Sequence, residues 1–140
     1  MNEAEHLVET RRWLRYARED LEGAETLLDR GVGVPRHICW LAQQSVEKAI
    51  KAILVFLAID FPWRHDLDAL RNLVPKDWQV TTEHADLAAL TEWAVEARYP
   101  GDWPDATEAD ACAAVEQARA VWESIRADFL RHDFTMEETL

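Results

Sequence analysis

No stretch of this chain runs long enough without a charge to cross a bilayer, because Glu47, Lys48 and Lys51 interrupt the one apolar candidate. The N-terminus also lacks the apolar core of a secretion signal. Cysteine is scarce: Cys39 and Cys112 make no C-x-x-C pair, and each falls in an apolar helical pattern, where a thiol is a small hydrophobe. The five histidines, His6, His37, His65, His84 and His132, include no i,i+4 pair and no H-E-x-x-H, so no metal is expected. A Gly-rich phosphate loop is missing, and neither Ser45 nor Ser124 has the setting of an activated nucleophile. No alternating strand pattern with Asn-Gly or Asp-Gly turns occurs. These absences leave a soluble, cytoplasmic, all-helical protein in a reducing compartment, with no cofactor and no membrane contact, as the expectation.

What is present is a chain of 140 residues with 49% apolar content, enough for one domain with its own core. We place that domain at 1–131 and expect the aperiodic, acidic tail 132–140 to fray. The formal charge of −12 disfavours nucleic-acid or membrane binding by the whole surface, while leaving room for a local basic site.

The chain is organised around residues 37–58. At 100° per residue, Ile38, Cys39, Ala42, Val46, Ala49, Ile50, Ile53, Phe56 and Leu57 share one face, and Gln44, Glu47, Lys48 and Lys51 the opposite one. Leu54 and Val55 then make the last turns apolar all round, so other helices must enclose them. Glu47 and Lys51 form an i,i+4 pair worth roughly 0.2–0.5 kcal/mol on any exposed helix, which could explain both residues. Yet the chain has only three lysines against twelve arginines, and two of the three sit here one turn apart. That bias argues for a role beyond a solvated face.

The remaining elements follow in order. Leu7, Leu14, Ala17, Leu21, Ala24 and Leu28 predict a helix over 3–30, closed by Gly31 to Pro35. The central helix is placed at 36–59, and a short helix at 66–74 carries Leu67, Leu70 and Leu73. A helix over 82–98 uses Leu87, Leu90, Ala94 and Ala97, and stops at Arg98-Tyr99-Pro100-Gly101. The last, 107–131, starts at a Thr107/Asp110 capping box and carries Val115, Ala118, Val121, Trp122, Ile125 and Phe129. The expected architecture is an all-α, up-and-down antiparallel bundle of four to five helices.

Four pieces then resemble the HEPN domain family of small prokaryotic helical proteins. They are Ala17 to Leu28, the segment Gln43-Gln44-Ser45-Val46-Glu47-Lys48-Ala49-Ile50-Lys51-Ala52, the turn His65-Asp66-Leu67, and Ala97-Arg98-Tyr99-Pro100. The resemblance covers about residues 10 to 130. It implies a helical bundle that forms homodimers and acts beside a small nucleotidyltransferase protein in a toxin–antitoxin pair. Several members are metal-independent ribonucleases with an R-x(4–6)-H motif. Arg98 matches the arginine, but Trp103, Pro104 and Asp105 occupy the positions where the histidine belongs.

Two readings follow. In the first, the protein is a non-catalytic module in which Gln44, Glu47, Lys48, Lys51, His65, Arg98 and Tyr99 bind a nucleotide or a partner protein. In the second, it is a ribonuclease toxin that cleaves RNA without metal, another residue replacing the histidine. Plain structural roles compete for several of these residues: His65 can end the connector and cap the short helix, and Arg98 can complement a helix C-terminus. Among the seven tryptophans, Trp63 and Trp103 lie in loops and are candidates for a ligand wall, whereas Trp40, Trp93 and Trp122 lie off the core-facing lines and argue for a covering second copy.

Overall fold

The computed structural model describes residues 2–94, 101 and 104–134. Their regular structure is helical throughout: α1 (Glu3–Arg30), α2 (Pro35–Phe56), α3 (Leu67–Arg71), α4 (Val80–Glu83), α5 (Ala88–Thr91) and α6 (Glu108–Arg131).

Local chemistry sets the ends of the long helices. Asn2 caps α1 by accepting from the Glu5 amide, and the Glu5 carboxylate accepts from the Asn2 amide in return. Gly31, at φ 64°, closes α1, and the Val32 amide reaches back to the Leu27 carbonyl at 3.1 Å. That left-handed closure suits glycine. Thr107 and Asp110 form the reciprocal cap expected at the start of α6. Helix α2 stops at Phe56, three residues before the predicted end, because Ala58 turns left-handed and the Ile59 amide bonds the Leu54 carbonyl at 2.8 Å.

Contacts between helices fix their directions. Ser45 Oγ donates to the Ala17 carbonyl at 2.8 Å and His6 Nδ1 lies 3.1 Å from the Val55 carbonyl, so α1 and α2 run antiparallel. Arg119 pairs with Glu25 and Arg11 lies over Phe134, so α6 also opposes α1. Helix α2 is the shared wall, with Cys39, Ala42, Ile50, Ile53 and Leu54 fully buried. Burying a side chain of Leu or Ile size contributes about 1.5–3 kcal/mol. At the base, Phe56 stands 5.3 Å from Phe129 and 5.0 Å from Phe134, ring centroid to centroid. Phe134 is only 5% exposed, so the tail segment read as frayed begins with a docked aromatic ring, while residues 135–140 lie outside the described residues.

The leg between α2 and α6 departs most from the sequence reading. The helix predicted over 82–98 is interrupted: α4 ends at Glu83, and α5 starts only at Ala88. In the gap, the Leu87 amide donates to Asp68 Oδ1 at 2.9 Å, the Ala88 amide donates to Asp86 Oδ1 at 3.1 Å, and the His84 carbonyl accepts from Arg71 at 3.0 Å. Side chains take the backbone groups that a continuous helix would have paired. Leu87, Leu90 and Ala94 are nonetheless buried as expected, and Ala97 lies outside the described residues. The short helix is also trimmed, from 66–74 to Leu67–Arg71, with Asp66 as its cap.

The tryptophans expected to be surplus are largely absorbed. Trp93 and Trp122 pack half-buried against the core, and Trp40 is half-buried with its ring 5.9 Å from His37.

Candidate functional site

The connector from Ile59 to His65 folds back along α2 and covers its polar residues. The reading of Glu47 and Lys51 as an exposed ion pair does not hold: Lys51 is 1% exposed and Glu47 4%. Lys51 Nζ donates to Glu47 Oε2 at 2.9 Å, beneath the rings of Trp13, Phe61 and Trp63, whose centroids lie 5.7, 5.6 and 5.2 Å away. Cation–π attraction to three rings and a full ion pair offset the loss of water around the ammonium.

The other carboxylate oxygen of Glu47 faces the connector. His65 Nδ1 lies 2.6 Å from Oε1, which also accepts from Gln43 Nε2 at 3.1 Å. An ionised carboxylate only accepts, so His65 Nδ1 carries a proton, and in the neutral ring the lone pair lies on Nε2. Gln43 is fully buried and also donates to the His65 carbonyl at 3.3 Å, pinning both the ring and the backbone of this residue. Gln44 is half-buried and donates to Gln43 Oε1 at 2.7 Å, behind the carboxylate. Lys48 points elsewhere, pairing with Asp20 of α1 at 2.6 Å. Lys48 and Lys51 are thus each held by their own carboxylate and do not join in one cationic site. Arg98, Tyr99 and Trp103 lie outside the described residues.

What this leaves at the surface is the connector itself. Trp63 is 88% exposed, with one ring face over Lys51. Arg64 is exposed beside it. Gln43, Trp13, Phe61, Asp20 and Arg64 did not stand out as site residues in the sequence. The usable signal was the aromatic, proline-bearing run Phe61-Pro62-Trp63 shortly after a helix with a polar stripe. Among the described residues no three His, Cys, Asp or Glu side chains converge as a metal site, and no helix is long and apolar enough to cross a membrane.

The class defined by this geometry is an all-helical bundle with a glutamate–lysine pair buried in its central helix and a histidine connector clamped across it. The chain belongs to the HEPN domain family, whose model matches residues 10–128. No curated protein matches significantly. Among solved structures the chain is similar to TT1696 from Thermus thermophilus, at 24% identity and a TM-score of 0.70, over 85% of this chain and 97% of that one. It is also similar to ST0689, an archaeal HEPN homologue, at 26% identity and a TM-score of 0.63, over 84% of this chain and 95% of that one.

Proposed function

We propose that this chain is a non-catalytic HEPN module that binds a nucleotide on its Trp63-Arg64-His65 connector. It works as a cytoplasmic homodimer beside a small nucleotidyltransferase protein, in a prokaryotic toxin–antitoxin type pair. The observation that carries the reading is the 88% exposure of Trp63 over the buried Lys51 ammonium. A large ring held by its inner face, with the rest open to water, is a stacking platform for a base. Arg64 supplies the exposed cation for a phosphate, because Lys48 and Lys51 are each held by a carboxylate, and His65, oriented by Glu47, supplies a hydrogen bond. Family membership supports the setting of dimer and partner.

The test is calorimetric titration of the pure protein with adenine and guanine nucleotides. Binding that is lost in Trp63→Ala and weakened in Arg64→Ala, both retaining helical circular dichroism, supports the reading. Absence of binding in the unaltered protein contradicts it.

One observation favours the ribonuclease reading: a histidine whose Nδ1 is fixed 2.6 Å from a buried carboxylate is oriented as a general base is. In that reading His65 replaces the histidine missing after Arg98.

A further inference from the structure

Along one flank of α1 lies a line of residues spaced alternately by four and three: Arg11, Arg15, Arg18, Glu22, Glu25 and Asp29. This spacing keeps them on one side of a helix. Their signs fall in two blocks, three positive and then three negative. Arg15, Glu22 and Asp29 are exposed, and Arg11, Arg18 and Glu25 half-buried.

The order of the blocks is not set by contacts along α1 itself. Only Arg18 and Glu22 meet as an opposite pair along the line, at 3.6 Å, and every other neighbouring pair on it repels. Asp29 occupies the last turn, where the helix dipole favours a cation. Arg11 lies over Phe134 and Glu25 pairs with Arg119 of α6, so the line borders α6 at both ends, while among the described residues Arg15 makes only a ring contact with Tyr16.

The line is, however, complementary to its own reverse. Two α1 helices laid antiparallel, with the two-fold axis level with residue 20, oppose Arg11 to Asp29, Arg15 to Glu25 and Arg18 to Glu22, and symmetry repeats all three. An isologous interface requires this self-complementarity, since the same patch serves both copies.

We infer that this flank of α1 is the surface through which two copies of the chain pair, antiparallel and about a two-fold axis. The inference rests on the homodimer reading above and adds its location and register.

The experiment uses two full-length variants in sedimentation velocity. One carries Arg15→Glu with Arg18→Glu, and the other Glu22→Arg with Glu25→Arg. Each alone places like charges opposite each other and is expected to weaken its own pairing by about tenfold or more. Mixed one to one, they oppose unlike charges at the reversed positions, and a dimer is expected to return. A wild-type dimer unaffected by either variant, or variants whose mixture stays monomeric, overturns the α1 surface; in the first case the dimer reading stands on another face. A monomeric wild type overturns both. Should a variant misfold by circular dichroism, the wild-type dimer decides: its dissociation constant should rise with added salt, and a salt-independent constant overturns the inference.

Discussion

Glu47 and His65, eighteen residues apart in sequence, are joined by a 2.6 Å contact between Oε1 and Nδ1. A carboxylate buried in the central helix thereby fixes a histidine on the connector that covers it. The same carboxylate pairs with Lys51, so one side chain supports both the interior of the bundle and the connector proposed to take a ligand.

The two central lysines should separate on mutation. Lys51→Met leaves Glu47 buried without its main counter-charge, and breaking such a pair costs about 3–5 kcal/mol. At this chain length that lowers the melting temperature by roughly 10 °C. Lys48→Met removes a partly exposed pair with Asp20 and should cost about 1 kcal/mol or less. Thermal melts of the two variants check the order, and equal shifts would contradict the burial of Lys51.

Asp128 is a second buried carboxylate with a structural task. It is fully buried and accepts from the Gln79 amide at 2.9 Å and the Val80 amide at 3.1 Å, holding the start of α4 to α6. Asp128→Ala strands both amides, at about 1–3 kcal/mol each. Hydrogen exchange at Gln79 and Val80 should accelerate more than at the centre of α2.

Acid should weaken the fold through His84. Burial lowers its pKa from the ordinary 6.5, against the opposing pull of Glu83, the Ala120 backbone and Asp128. The unfolded chain therefore takes up this proton first as the pH falls. Stability associated with His84 is present above about pH 6.5 and is lost as the pH drops through the lowered folded-state value. Chemical denaturation between pH 7.5 and 5 should show the decline, and His84→Gln should flatten it.

RNA should survive incubation with the pure, metal-free protein. After four, five and six intervening residues, Arg98 is followed by Trp103, Pro104 and Asp105, none of which titrates near neutrality as histidine does, and the net charge of −12 opposes capture of a polyanion. Cleavage that disappears in His65→Ala would replace the binding reading with the ribonuclease one.

Much of this fold was legible because its long helices carry their own evidence. The apolar spacing of Leu14, Ala17, Leu21 and Ala24, the Gly31 closure and the Thr107/Asp110 cap are local signals, and they set α1 and α6 almost to the residue. The break between α4 and α5 was not legible, because it depends on Asp68 and Arg71 arriving from another segment. For the candidate site, the sequence shows residue types but not their environment. Glu47, Lys51 and His65 stood out by type and spacing, yet their burial depends on the connector folding back over α2, a tertiary contact that helical periodicity does not encode. Polar residues on the minor face of a helix read as solvated until another segment is known to cover them.

The most direct test of the account is the fluorescence of Trp63 during nucleotide titration, read as the difference between wild type and Trp63→Phe so that the other six tryptophans cancel. Stacking of a base on the exposed indole should quench this difference signal in a saturable way, and Glu47→Gln, which loosens the connector, should weaken the affinity. A Trp63 signal unchanged by any nucleotide at millimolar concentration would contradict the assignment of the connector as the binding surface.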